Sequence, residues 1–121
     1  MKILIIDDSE IVLEVTAEVL REGGHEVITR SSPLGTAATL TTEKPDLVLL
    51  DIDMPALSGD KAAEILRRHQ RFASTRLYLY SSRSEEELAA LVSRCGADGF
   101  LRKTDDFDAL LALVNQLELS R

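Results

Sequence analysis

Short apolar runs recur along this chain, and four of them end in a charged or hydroxyl residue. They read ILIIDD from Ile3, LVLLDID from Leu47, LYLYSS from Leu77 and GFLRK from Gly99. Runs of this length, apolar at nearly every position, are typical of parallel strands that are covered on both faces of a sheet. The segments between the runs have helical patterns. This strict alternation predicts an α/β fold with one parallel sheet and right-handed crossovers.

Five strands and five helices are predicted, in the order (βα)5, within a single domain that covers residues 1–121 and carries no output domain. Ser9 is expected to cap the first helix. Pro33 is expected at the first position of the second helix, and Ser84 begins a capping box for the fourth. The predicted strands are residues 2–6, 26–29, 47–50, 77–80 and 99–101, and the third helix is predicted from residue 58 to about 68.

Composition argues against several classes of protein. A net charge of −7 argues against direct nucleic-acid binding, which usually needs a basic surface. No apolar stretch is long enough to span a bilayer, and the N-terminal run is too short for a signal peptide, so a cytoplasmic location is expected. The single cysteine, Cys95, rules out an internal disulfide and is expected to be a buried, inert thiol. His25 and His69 have no ligand-like spacing and are expected on the surface.

Polar side chains at the strand ends are expected to meet at one edge of the sheet. Ligands of such sheets bind beyond the carboxyl ends of the strands, so Asp7, Asp8, Asp51, Ser81 and Lys103 would share one pocket. Clustered carboxylates raise each other's pKa values unless a cation compensates them. Mg²⁺ prefers oxygen ligands and is often bound together with a phosphate. A lysine and a hydroxyl suit phosphoryl oxygens, and a carboxylate can itself be the nucleophile.

Four motifs together resemble the receiver domain of response regulators, over essentially the whole chain. They are IDD at 6–8, LLDIDMPALSG at 49–59, YSS at 80–82 and GADGFLRK at 96–103. Each motif alone is a weak signal, but all four occur in order and with family-like spacing. The resemblance implies a doubly wound, flavodoxin-like sheet with strand order 2-1-3-4-5.

The resemblance also implies a role for each matching residue of the pocket. Asp51 matches the phosphoacceptor, and Asp7 and Asp8 match the acidic pair that binds Mg²⁺. The backbone carbonyl of Asp53 matches a further metal ligand. Lys103 matches the lysine that contacts the phosphoryl group.

Other matching residues imply a conformational switch. Ser81 matches the residue that moves to hydrogen-bond the phosphoryl group, and Phe100 matches the aromatic residue whose rotamer follows that movement. Met54-Pro55 and Gly59 match the loop that turns over the pocket.

The chain departs from the family pattern beside the pocket. Thr104 stands where the family usually has a proline with a cis peptide bond, and a non-proline cis bond costs about 3–4 kcal/mol. Tyr78 and Tyr80 are bulkier than is usual for their strand.

Asp53 and Arg83 occupy positions that tune dephosphorylation in the family. Their opposite charges are expected to pair across the pocket and to hinder an attacking water molecule. Removing Arg83 would then shorten the lifetime of the phosphorylated state.

These features predict a phosphoacceptor module and not an enzyme that turns over an external substrate. A histidine kinase or a histidine phosphotransfer protein would supply the phosphoryl group in a reaction that needs Mg²⁺. The modified domain would then control a downstream protein or an output domain. The face made by the fourth helix, the fifth strand and the fifth helix is the expected contact surface, for a partner or for a homodimer.

Two other functions stay open on the sequence alone. LVLLDIDMP resembles the nucleophile motif of haloacid-dehalogenase-type phosphatases, with Asp51 as nucleophile and Asp53 as acid/base, although that motif normally follows the first strand. The other alternative is a receiver that never takes a phosphoryl group and serves as an interaction module, for which Thr104 is the one hint. Dinucleotide binding is not indicated, because no G-x-G-x-x-G follows the first strand.

Overall fold

Five parallel strands form one sheet in the computed structural model, which describes residues 1–55, 61, 64, 74–103 and 106–120. Their order, β2-β1-β3-β4-β5, confirms the predicted doubly wound arrangement. The strands are β1 Lys2–Ile6, β2 Glu26–Arg30, β3 Leu47–Leu50, β4 Arg76–Ser81 and β5 Gly99–Arg102. Four helices lie in the described ranges, namely α1 Glu10–Glu22, α2 Thr36–Glu43, α3 Glu85–Cys95 and α4 Phe107–Leu119. Of the helix predicted over residues 58–68, only Lys61 and Glu64 are described, and both are helical.

The central strands β1 and β3 are buried on both faces of the sheet, as their continuous apolar sequences predict. Successive side chains alternate between two apolar clusters. One cluster, packed with α3, contains Leu4, Ile6, Val48, Leu50 and Leu88. The other, packed with α1 and α4, contains Ile3, Ile5, Leu20, Leu49 and Val114. Burying one such side chain contributes about 1.5–3 kcal/mol, so these clusters fix where each central strand ends.

Backbone hydrogen bonds continue the sheet one residue beyond three strand ends. The N–H of Asp7 donates to the carbonyl of Arg30 at 3.1 Å, and that of Asp51 to Ile6 at 2.9 Å. The N–H of Lys103 donates to the carbonyl of Ser81 at 2.9 Å. The polar residues that follow the strands are therefore held by the sheet and not by free loops.

The helix starts agree with the sequence in two places. Ser9 Oγ accepts a hydrogen bond from the Val12 N–H at 3.3 Å, at the start of α1. Ser84 Oγ accepts one from the Glu87 N–H at 3.2 Å, at the start of α3. Both caps satisfy helix N–H groups that have no partner within the helix.

The predicted start of the second helix is wrong. Helix α2 begins at Thr36 and not at Pro33, because Gly35 just before it is left-handed, with φ of 78°. Residues 33–36 instead form a turn in which the Thr36 N–H donates to the Pro33 carbonyl at 3.3 Å.

The surface position expected for His25 is also wrong, because the side chain is buried. Its Nδ1 lies 3.0 Å from the amino group of Met1, and its Nε2 lies 2.9 Å from Asn115 Oδ1. Partners for both ring nitrogens make the burial tolerable. His69 lies outside the described residues, while Cys95 is buried as predicted. No helix in the described ranges is both long and apolar enough to cross a membrane.

Candidate functional site at the carboxyl edge of the sheet

Three carboxylates meet where β1 and β3 end. Asp7, Asp8 and Asp51 each place one ligand oxygen within 4.8 Å of the other two. Asp7 and Asp51 are 0% and 2% exposed, whereas Asp8 faces solvent. The structure thus brings together the acidic residues that the sequence placed at one edge, and leaves one side of the group open.

The two oxygens of Asp7 have different surroundings. Oδ1 accepts a hydrogen bond from the Ser9 N–H at 2.9 Å. Oδ2 is buried and accepts no hydrogen bond among the residues that the structure describes. Its charged neighbour is the Lys103 ammonium, whose Nζ lies 2.5 Å away. A buried carboxylate is unfavourable unless it is paired, and its pairing with the ammonium shows that this atom is suited to a cation.

Lys103 is the cation of the described part of the pocket. Its Nζ lies 3.6 Å from Asp51 Oδ1 as well as 2.5 Å from Asp7 Oδ2, so one ammonium faces two of the three carboxylates. Burial lowers the pKa of Lys103, but the ion pair with Asp7 and the charge of Asp51 outweigh that effect and raise the pKa overall. The lysine therefore stays charged at neutral pH.

Asp51 ionises less readily than an ordinary aspartate. Burial raises its pKa to about 6, and the charges of Asp7 and Asp53 add to the rise. The Asp53 N–H, 3.0 Å from Asp51 Oδ1, and the Lys103 ammonium act in the opposite direction. Three carboxylates lie together here with the ammonium of Lys103 beside two of them, and a hard divalent cation bound by carboxylate oxygens would compensate the remaining negative charge.

Ser81 and its neighbours form a second hydrogen-bonded group on the other side of Asp51. Ser81 is fully buried, and its hydroxyl donates to Asp53 Oδ2 at 3.2 Å while accepting from the Arg83 N–H at 3.1 Å. The Arg83 guanidinium donates to Asp53 Oδ1 from Nε at 3.0 Å and from Nη2 at 2.7 Å. The expected pairing of Asp53 with Arg83 is therefore present, and it also includes Ser81.

The remaining residues named from the sequence lie around this group. Phe100 is half-buried and packs against the apolar cluster beside α3. Met54 is buried, and Pro55 after it is exposed. Gly59 and Thr104 lie outside the described residues, and so does the peptide bond between Lys103 and Thr104.

One neighbour of the pocket was not assigned a role from the sequence. The ring centroid of Tyr80 lies 5.7 Å from Lys103 Nζ. The sequence drew attention to Tyr80 for its size and as the first residue of the YSS motif, but gave it no role. The signal that could have identified it is its place at the end of β4, on the strand next to the one that carries Lys103.

Comparisons with known proteins agree on one family. Residues 3–115 match the model of the response regulator receiver domain family. Protein PilH of Pseudomonas aeruginosa is 31% identical over 114 residues, which cover 94% of each chain. The CAI-1 autoinducer sensor kinase/phosphatase CqsS of Vibrio cholerae is 29% identical over 93% of this chain, which spans 17% of that protein. The solved BeF3-activated N-terminal receiver domain of RstA from Klebsiella pneumoniae is 26% identical, with a TM-score of 0.86 and coverage of 96% of this chain and 97% of that one.

Proposed function

This chain belongs to the response regulator receiver domain family, and from that premise we propose that it accepts a phosphoryl group on Asp51 in a Mg²⁺-dependent reaction. Receiver domains are signalling modules and not conventional enzymes. The observation that supports the proposal most is the position of Asp51, which is buried beside Asp7, Asp8 and the ammonium of Lys103. An aspartate with a raised pKa in such a place is typical of a functional site.

In the proposed reaction, a carboxylate oxygen of Asp51 attacks the phosphorus of a phosphohistidine donor. The P–N bond to the donor breaks, an O–P bond to Asp51 forms, and the leaving imidazole takes up a proton. Asp7, Asp8, Asp51 and the backbone carbonyl of Asp53 would hold Mg²⁺, which supplies charge neutralisation at the phosphoryl oxygens. The Lys103 ammonium, already 3.6 Å from Asp51 Oδ1, would hydrogen-bond one of those oxygens.

The proposed switch follows from the hydrogen bonds of Ser81. A serine hydroxyl has one proton to donate, and here Asp53 accepts it. A phosphoryl group on Asp51 would bring about −1.5 to −2 charge and new acceptor oxygens close to the same hydroxyl. Ser81 must then leave Asp53 to bind the phosphoryl group. The two arrangements exclude each other, and the phosphoryl group shifts their populations by its differential affinity for them.

We extend the proposal to partners and location. A histidine kinase or phosphotransfer protein would be the donor, and α3, β5 and α4 would form the face that contacts a downstream partner, an output domain or a second copy. Phe100, on β5 and packed toward α3, is positioned to transmit movement of Ser81 to that face. A single receiver domain over residues 1–121, in the cytoplasm, is part of the same proposal.

Phosphorylation by a small-molecule donor tests the proposal. The protein is incubated with Mg²⁺ and acetyl phosphate, and its intact mass is measured for the wild type, Asp51→Ala and Asp98→Ala. Asp98 is a matched control, since its carboxylate binds a backbone N–H at the opposite edge of the sheet. The wild type and Asp98→Ala should gain one phosphoryl mass, and Asp51→Ala should gain none.

Two results would contradict the proposal. One is a wild type that gains no phosphoryl mass and fails to bind beryllofluoride in the presence of Mg²⁺, which would favour a pure interaction module. The other is sustained turnover of a generic phosphate ester that depends on both Asp51 and Asp53, which would favour the phosphatase alternative.

A further inference from the structure

An aromatic ring lies beside the pocket lysine. The centroid of Tyr80 lies 5.7 Å from Lys103 Nζ. We propose that Tyr80 is a positioning residue that holds the Lys103 ammonium over the phosphoryl site through a cation–π contact. This inference rests on the proposed role of Lys103 and gives a role to a residue for which the resemblance implied none.

Both partners of the contact are fixed by the sheet. The Tyr80 ring is buried in the apolar cluster that also contains Leu101 and Leu110, so it cannot turn away from the pocket. Tyr80 pairs with Leu101 in the β4–β5 ladder, and the Lys103 N–H donates to the Ser81 carbonyl at 2.9 Å. The ring and the root of the lysine side chain are therefore held at a constant separation.

An aromatic ring suits this task better than another carboxylate would. Lysine is a point charge on a flexible stem and loses rotamer freedom when it is confined. The face of an aromatic ring attracts a cation, and more strongly in a partly desolvated site; the Lys103 side chain is only 21% exposed. The ring accepts no conventional hydrogen bond from the ammonium. All three N–H donors thus stay available for Asp7, Asp51 and the phosphoryl oxygens.

Tyr78 provides a matched control on the same strand. It lies two residues before Tyr80 and faces the same side of the sheet, since side chains alternate along a strand. Its ring packs onto Gly99, where an added Cβ would lie 2.7 Å from Tyr78 Cε2. Fluorination of the ring at position 78 should therefore affect only its packing against Gly99 and not the contact between Tyr80 and Lys103.

The experiment changes the electrostatics of the ring while preserving its shape. Pentafluorophenylalanine is close to phenylalanine in shape but has a reversed quadrupole, so it is placed at position 80 and, as the control, at position 78. Tyr80→Phe keeps the π face and removes only the hydroxyl. Beryllofluoride affinity is measured by ¹⁹F NMR at saturating Mg²⁺, and the affinity for Mg²⁺ alone by calorimetry.

We expect Tyr80→Phe to bind beryllofluoride like the wild type. Tyr80→pentafluorophenylalanine should bind it about 2-fold to 30-fold more weakly, the range that cation–π contacts imply. Affinity for Mg²⁺ alone should not fall in that variant, and the position 78 variant should match the wild type in both measurements. The inference is wrong if the two fluorinated variants lose equal affinity, or if neither loses any.

A second readout needs no metal and no phosphate mimic. The Lys103 ε-methylene resonance should show an upfield ring-current shift in the wild type and in Tyr80→Phe, and should move back in Tyr80→pentafluorophenylalanine. Assignment is simple because the chain has four lysines, and Lys103→Arg removes the signal in question. A wild type that binds no beryllofluoride but shows this shift would overturn the proposed function while supporting the contact. A Lys103 resonance without the shift would overturn the contact.

Discussion

At the amino edge of the sheet, half-buried or exposed carboxylates accept backbone hydrogen bonds, whereas at the carboxyl edge three carboxylates, two of them buried, face one another. Asp46 Oδ2 accepts from the Lys2 N–H at 2.8 Å, and Asp98 Oδ2 accepts from the Leu77 N–H at 2.7 Å. Asp7 Oδ2 has no such donor among the described residues, and the pKa of Asp51 is raised to about 6. The same residue type therefore binds the backbone at a strand start at one edge, whereas at the other edge two aspartates share one ammonium.

The difference separates charge that stabilises the fold from charge that is kept for function. A carboxylate that binds an N–H at a strand start supplies a partner that the ladder lacks there. Three carboxylates beside one ammonium instead repel one another, and a divalent cation bound by their oxygens would relieve that repulsion.

The largest effect is expected from Lys103, with Lys2 at the amino edge as its control. Lys103→Ala should weaken beryllofluoride binding about 10-fold to 100-fold, the range for a lost charged hydrogen bond. The same variant should bind Mg²⁺ more tightly in calorimetry, because the ammonium no longer occupies Asp7 Oδ2. Lys2→Ala, which removes ion pairs with Glu26 and Glu43 at the amino edge, should change neither affinity. Weaker Mg²⁺ binding in Lys103→Ala would contradict the idea that Mg²⁺ and the Lys103 ammonium compete for Asp7 Oδ2.

At the amino edge, we expect a substitution to lower the stability of the protein and to leave its phosphorylation unchanged. Asp98→Ala leaves the Leu77 N–H without its acceptor, so the free energy of unfolding should fall by about 1–3 kcal/mol. Chemical denaturation measures this change, and acetyl phosphate labelling of the folded variant should be normal. If Asp98→Ala were as stable as the wild type but were not phosphorylated by acetyl phosphate, the roles assigned to the two edges would be reversed.

A smaller effect is expected from the contact between Ser81 and Asp53. Asp53→Ala removes the acceptor that competes with the phosphoryl group, so beryllofluoride should bind about 2-fold to 10-fold more tightly. In a Ser81→Ala background the same change should have no effect, because no hydroxyl remains to be released. Equal gains in both backgrounds would show that Asp53 acts by some route other than Ser81.

The smallest effect concerns the lifetime of the phosphorylated state. Arg83 is half-exposed and pairs with Asp53 at 2.7 Å, which places a salt bridge beside the path of an attacking water. Arg83→Ala should shorten the lifetime a few-fold, within the modest energy of an exposed ion pair. Decay of the phosphorylated mass after removal of the donor measures it. An unchanged lifetime would show that the Arg83–Asp53 salt bridge does not hinder the attacking water.

The sequence is sufficient for the strands and for the convergence of the pocket, because both depend on local apolar runs and on parallel register. The strand ends at Ile6 and Leu50 and the meeting of Asp7 with Asp51 follow from those two features. Contacts between distant elements were harder to foresee. His25 is buried because Met1 and Asn115 provide partners, and Tyr80 meets Lys103 because β4 and β5 are neighbours. The late start of α2 depends on a left-handed glycine that a Ser-Pro start signal does not reveal.

The dependence of stability on pH tests the account of the carboxyl edge most directly. The pKa of Asp51 is about 6 in the folded state against 3.8 ordinarily, so the folded protein holds this proton more tightly than the unfolded chain. Its contribution to stability is present below about pH 4 and is lost as the pH rises through about 6.

The measurement is the free energy of unfolding from pH 4 to pH 7.5, without Mg²⁺, for the wild type and for Asp51→Asn. The wild type should lose on the order of 1–3 kcal/mol relative to the variant across this range. Adding Mg²⁺ at pH 7.5 should restore more stability to the wild type than to Asp51→Asn. Parallel pH profiles, or an Asp51→Asn variant that is less stable than the wild type at pH 7.5 without Mg²⁺, would contradict the claim that this edge stores unrelieved charge.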